Sequence, residues 1–183
     1  MADCRVPTLC NNANVMKRPW LQMLRAATLA LLVAAMSALA AAPGEPAPAL
    51  SLPDPRGETV SLDKLRGKVV YVDFWASWCG PCKRSFPWMN ELAERYGADG
   101  FTIVAVNVDK KRDDADRFLA QTPGRFTIVY DPSGASPAAW AVKGMPSSYL
   151  VDRSGRVALV EQGFRDEQKA GVENRIRELL AAR

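Results

Sequence analysis

The chain has 183 residues, with 24 Lys+Arg against 20 Asp+Glu (formal charge +4), four cysteines and no histidine. That length suits one domain with a full hydrophobic core plus a tail. Without histidine there can be no Ser-His-Asp or Cys-His nucleophile, no His-ligated zinc or copper site and no axial-His haem, so any chemistry must rest on Cys, carboxylates, Lys, Tyr or backbone groups.

Residues 1–15 are polar and carry Asp3, an odd beginning for a signal peptide, and Met16 makes the better start. This stretch reads as an over-extended start or leader, and Cys4 and Cys10 within it are assigned no role. From Met16 a basic cluster (Lys17, Arg18, Arg25) leads into an apolar run, Ala26 to Leu39, closed by the small-x-small tripeptide Ala38-Leu39-Ala40. Residues 16–40 therefore read as a signal peptide, or as an N-terminal membrane anchor if uncleaved, and the protein is expected to be exported. Without residues 1–40 the chain carries 20 basic and 19 acidic residues and two cysteines. The basic excess is then a targeting feature, and the case for a nucleic-acid partner lapses.

Residues 41–48 form a Pro/Ala linker, and 49–183 the expected domain. Leu50–Leu52 and Thr59–Leu62 read as two short strands around the turn "PDPRGE". Lys68–Ala76, "KVVYVDFWA", is a buried central strand. A helix is expected from Pro81 to Tyr96, kinked by Pro87 and ended by Gly97 and Gly100. A second buried strand covers Phe101–Val108, and "DKKRDDADRFLAQ" reads as a short exposed helix with Asp113, Asp114 and Asp116 in its first turn. Phe126–Tyr130 is a strand, residues 136–141 one helical turn, and Lys143–Pro146 a loop. Ser148–Val151 and Arg156–Gln162 make a hairpin around "DRSGR". Val172, Ile176, Leu179 and Leu180 share one face of a final helix, Asp166–Ala182. Strands alternating with helices before a closing hairpin predict an α/β fold, a central mixed sheet covered on both faces, with an N-terminal strand pair and a central helical insertion.

The chemistry concentrates in "DFWASWCGPCKRSFP", residues 73–87. Cys79 and Cys82 stand two residues apart where strand gives way to helix. Unpaired N–H groups and the positive dipole end there favour thiolate over thiol. Cys79, at the helix start, is expected to be exposed and Cys82 buried beneath it. Gly80 and Pro81 shape the turn, Pro81 fitting a first helical position. Cys79 can then attack a partner disulfide and Cys82 resolve the mixed disulfide. Other uses of such a pair fit less well. A structural bridge across so short a loop gains little entropy. A zinc site lacks a second ligand pair, and c-type haem attachment needs a histidine where Lys83 stands.

"VDFWASWCGPCK" resembles the thioredoxin active-site sequence. Together with the strand pair ahead of it and "GMPSSYLVDRSGRV" further on, it is similar to the periplasmic TlpA/ResA-like branch of the thioredoxin-fold superfamily, over about residues 49–183. The resemblance implies a thioredoxin fold and a thiol:disulfide oxidoreductase with Cys79 as nucleophile and Cys82 as resolving thiol. Their redox-active disulfide would serve in place of a cofactor, with no metal. It implies that Pro146 is a cis-proline facing the cysteines and that Met145 offers its backbone to an extended partner. Asp73, the ionisable group inside an apolar strand, matches the buried acid that exchanges a proton with the resolving thiol. Two departures stand out: Ser85 replaces a glutamate common in the branch, and Val104-Ala105-Val106-Asn107 lacks the lysine thioredoxins often place near the acid. Trp78, beside Cys79, is the expected partner-contacting aromatic, whereas Phe74 and Trp75 read as core. The implied partners are protein disulfides or thiols of exported proteins, such as apocytochromes c in cytochrome c biogenesis or copper-site assembly proteins. The implied electron donor is a membrane thiol-transfer protein of DsbD/CcdA type. Gly-Pro between the cysteines and the lack of histidine point to a reductant. A disulfide-forming oxidase and a Cu(I) chaperone using the same cysteines are the competing expectations.

Overall fold

The computed structural model describes residues 41–182; the expected leader and signal segment, with Cys4 and Cys10, lie outside the described residues. The run "VVYVDFW" forms strand β3, Val69–Trp75, in which every residue is buried. A strand apolar on both faces belongs in the middle of a sheet with both faces covered. β3 accordingly takes the centre of a five-stranded sheet ordered β5-β4-β3-β6-β7, where β4 is Phe101–Asn107, β5 Thr127–Tyr130, β6 Ser147–Val151 and β7 Val157–Gln162. β4 runs parallel to β3 in the register Val69↔Phe101 to Trp75↔Asn107, and β5 continues parallel to β4. β6 lies antiparallel on the other side, pairing Asp73↔Ser148 and Phe74↔Ser147, and β7 closes the hairpin.

Alternation along β3 divides the core. Val69, Tyr71 and Trp75 face a cluster built with three helices: α1 (Gly80–Tyr96), α2 (Arg112–Gln121) and α4 (Asp166–Ala181). They meet Phe86, Met89 and Leu92 of α1, Ala115 and Phe118 of α2, and Val172 and Ile176 of α4. Val70, Val72 and Phe74 face the opposite cluster with Leu50, Trp140 and Tyr149. That second face is covered by the strand pair β1 (Ser51–Pro53) and β2 (Thr59–Ser61), a 3-10 turn at Leu62–Leu65, and the segment around Trp140 that follows the short α3, Ala135–Ala139. This is the expected thioredoxin fold, a central mixed sheet flanked by helices, with an N-terminal strand pair and a helical insertion.

Some details differ from expectation. α1 begins at Gly80, with Cys79 as its cap, and continues through Pro87 to Tyr96. α2 starts at Arg112 rather than Asp109, because the Asp109 carboxylate is drawn inward to Ser77 and Asn107. Residues 41–48 lie against the hairpin: Gly44 N–H donates to Val157 O, Ala47 N–H to Gly155 O, and Ala41 is buried in the second core cluster. Among the described residues, no helix is long and apolar enough to cross a membrane.

Candidate active site

The site is assembled where β3 ends and α1 begins. Asp109 holds the connecting loop: its carboxylate accepts from Ser77 N–H (2.9 Å), Ser77 Oγ–H (3.0 Å) and the Asn107 side-chain amide (2.8 Å). The chain then presents Trp78 outward, 70% exposed and the one large hydrophobic residue so placed among the described residues. Cys79 follows as the helix cap, with extended backbone, and its sulfur accepts from Cys82 N–H at 3.2 Å. Its Sγ is bonded to Cys82 Sγ at 2.04 Å.

Both cysteines are buried, Cys79 at 3% and Cys82 at 0% exposure. The expectation that Cys79 is exposed therefore does not hold in the oxidised protein. Bonding to Cys82 and capping the helix both turn its sulfur inward, leaving Trp78 as the outward feature. Gly80 and Pro81 occupy the first turn as expected, where Pro81 forfeits no intrahelical hydrogen bond. Ser85, in place of the branch's glutamate, is buried and donates to Cys82 O at 3.1 Å.

β6 brings the second motif alongside. The Met145–Pro146 peptide bond is cis. Met145 packs against the cluster that contains both cysteines, while the sheet ladder begins only at Ser147, leaving the Met145 backbone outside it. Ser147 Oγ–H closes the loop by donating to Gly144 O at 2.8 Å.

Asp73 lies two residues down the strand from Trp75, and its parity places it on the α1 side of the sheet. It is 1% exposed. Oδ1 accepts from Ser148 Oγ–H at 2.7 Å, and Oδ2 has no partner among the described residues. Burial pushes its pKa up to about 7, opposed in part by the Ser148 hydrogen bond. Asp73 pairs with Ala105 on the β4 side, so no cation from that strand offsets its charge. It makes no direct hydrogen bond to either cysteine. Phe74 and Trp75 are core, as expected. Asp109, Ser77 and Ser148 support the site but were not singled out from sequence.

A buried pair of cysteines bonded across the first turn of a helix, beside a cis-proline loop and above a buried carboxylate, defines a thioredoxin-fold dithiol–disulfide oxidoreductase. Among the described residues, no group of three or more Cys, Asp or Glu side chains converges where a metal ion could be held. Residues 42–176 match the family model described as Redoxin. The thiol-disulfide oxidoreductase ResA of Geobacillus thermodenitrificans is 34% identical over 158 residues, covering 81% of this chain and 91% of the relative. ResA of Bacillus subtilis is 33% identical over 124 residues, covering 68% and 69%. Among solved structures, a Chlorobium tepidum protein assigned as the thiol:disulfide interchange protein DsbE superposes with TM-score 0.74 at 50% identity, covering 76% of this chain and 99% of that one. The chain belongs to the Redoxin family and, within it, to the ResA/TlpA-like thiol-disulfide oxidoreductases.

Proposed function

We propose that this enzyme is exported to the periplasm and there reduces disulfides of partner proteins, with Cys79 as nucleophile, Cys82 as resolving thiol and Asp73 as proton carrier. The observation that carries this reading is the helix-capping disulfide itself: the N–H that reaches Cys79 Sγ is placed to stabilise a thiolate on that sulfur and not on Cys82. In the dithiol form, Cys79 thiolate attacks one sulfur of the partner's disulfide, and the partner's other sulfur leaves as a thiolate that takes a proton from solvent. Cys82 then gives its proton to Asp73 and attacks Cys79 Sγ. The Cys79–Cys82 bond forms, the mixed disulfide breaks and the partner departs as a dithiol, two electrons richer. Trp78, Gly80 and Pro81 form the contact surface, and the Met145 backbone, held by cis-Pro146, pairs with an extended partner segment.

The oxidised enzyme must then receive two electrons and two protons. In an oxidising compartment, a membrane thiol-transfer protein of DsbD/CcdA type fits that need. Apocytochromes c and copper-site assembly proteins fit as clients, and residues 16–40 supply the export signal or an anchor. The test is trapping in the full chain. Cys82→Ser should accumulate mixed disulfides on Cys79 that mass spectrometry can name. Accumulation on Cys82 in the Cys79→Ser variant instead would reverse the assigned roles, and none in either would end the reading.

A further inference from the structure

The buried acid does not end at Ser148. In the antiparallel register Ser148 faces Asp73 on one side and Glu161 on the other, so the three residues form one polar rung across β3, β6 and β7. Paired residues share a face, and this is the α1/α4 face of the sheet. Ser148 Oγ–H donates to Asp73 Oδ1, and Tyr71, two residues along β3 from Asp73 and on the same face, brings its hydroxyl close to Ser148. Burial in the apolar core holds the Tyr71 phenol above the usual range, reinforced by the charge of Asp73 and, least, by that of Glu161.

Glu161 is half-buried and accepts from the Gln168 side-chain amide. Tyr71 and Glu161 both line a small surface cavity between β7 and the start of α4, where Arg165 and Lys169 are the cations. The rung thus spans two strand spacings, about 10 Å, from a buried carboxylate to water. It emerges at the β7 edge of the sheet, not at the end of β3 where the dithiol sits.

We infer that this rung is a proton path by which Asp73 exchanges with solvent through Ser148 and Tyr71 to Glu161 while a partner protein covers the dithiol. The inference rests on Asp73 as the proton carrier of the proposed reaction. Each transfer is a hop: Asp73 passes its proton to the Ser148 hydroxyl, which releases its own to Tyr71. Tyr71 passes one on to Glu161, and Glu161 loses it to water, so charge and protons balance with nothing consumed. Ser148, Tyr71 and Glu161 act through Asp73 and never touch the reacting sulfurs. They are positioning residues. The path offers a reason why this chain manages with Ser85 in place of a second acid near the cysteines.

The test compares two disulfides reduced by the full chain: insulin, a protein that covers the mouth, and the small aromatic disulfide DTNB, which leaves it open to water. Ser148→Ala should slow insulin reduction about tenfold, a fraction of what general acid–base catalysis supplies, and leave DTNB reduction near the wild-type rate. Ser148→Thr, which keeps a hydroxyl, should restore the insulin rate. Glu161→Gln should slow insulin reduction likewise and recover as a small buffer such as imidazole is raised. Equal slowing of both substrates by Ser148→Ala would mark a merely structural role and overturn the path. A wild-type insulin rate in Glu161→Gln would remove Glu161 as the outlet. Asp73→Asn separates the two readings: it should slow both substrates, and if it slows neither, Asp73 is not the proton carrier and the path has no source.

Discussion

Asp73 is held in a place where water cannot solvate its charge. Only Ser148 donates to it, and its second oxygen is unpartnered among the described residues. The neutral form is therefore favoured, and the pKa rises from its ordinary 3.8 to about 7. A raised carboxylate pKa means that the folded state holds a proton which the unfolded chain has already released between those two values. The associated stability is present in full below about pH 4 and is lost as pH climbs through 7, some 4 kcal/mol in all for a shift of this size. Asp73→Asn lacks that titration. Urea unfolding across pH 4 to 8 should show the variant gaining on the wild type up to about pH 7 and then running parallel to it. Curves parallel throughout would mean that the carboxylate is better solvated than its burial implies. In the proposed reaction, with Asp73 as proton carrier, the sign is opposite. Taking a proton from Cys82 requires ionised Asp73, so resolution of the mixed disulfide should accelerate as pH rises through about 7, and Asp73→Asn should lose that limb along with most of the rate.

Among the elements, the loop between β3 and α1 decides where the cysteine pair is presented, and its geometry depends on Asp109. That carboxylate is buried and satisfies two donors on Ser77 and one on Asn107. Asp109→Ala would leave those donors without their acceptor, each buried one costing about 1–3 kcal/mol. Urea unfolding should report a loss of that order, with reduced activity toward protein disulfides, whereas an unchanged midpoint would show that the loop holds itself. The sequence reading assigned Asp109 to an exposed helix, because "DKKRDD" looks like a solvated charge run and nothing local tells the one inward carboxylate from its neighbours. Ser148 was hidden for a related reason: its bearing on Asp73 comes from strand register, which pairs residues 75 apart. The placement of Cys79, Cys82, Pro81 and Trp78 was legible because it is set within one strand-to-helix turn. Asp73 was legible too, as a charge inside an apolar run. The exposure expected for Cys79 failed because it was inferred from position on the helix alone, without the bond that draws its sulfur inward.

At the scale of the whole molecule, the fold sets the direction of electron flow through its preference between two redox forms. Folding and oxidation form a closed cycle, so any difference in stability between disulfide and dithiol proteins equals the shift in reduction potential from the unfolded chain, about 1.4 kcal/mol for each 30 mV. Two features oppose each other here. The Cys82 N–H and the helix dipole favour a thiolate on Cys79 and so favour the reduced form. Against that, the pair sits almost wholly in the apolar cluster beneath β3, with Cys82 at 0% exposure, and the buried Asp73 lies on the same face of the sheet. A disulfide is apolar and uncharged in that setting, whereas a thiolate must be desolvated with a carboxylate nearby and no histidine in the chain to balance it. The balance favours the disulfide, which is the condition for a reductant. The oxidised protein should therefore resist urea better than the reduced protein, by at least about 1.4 kcal/mol, corresponding to a potential some 30 mV or more below that of the unfolded dithiol. Strong oxidases of this fold, near about −120 mV, owe their potential to a stabilised reduced form. If the reduced protein proved the more stable, electrons would run from partner to enzyme, and Cys79–Cys82 would form disulfides rather than break them.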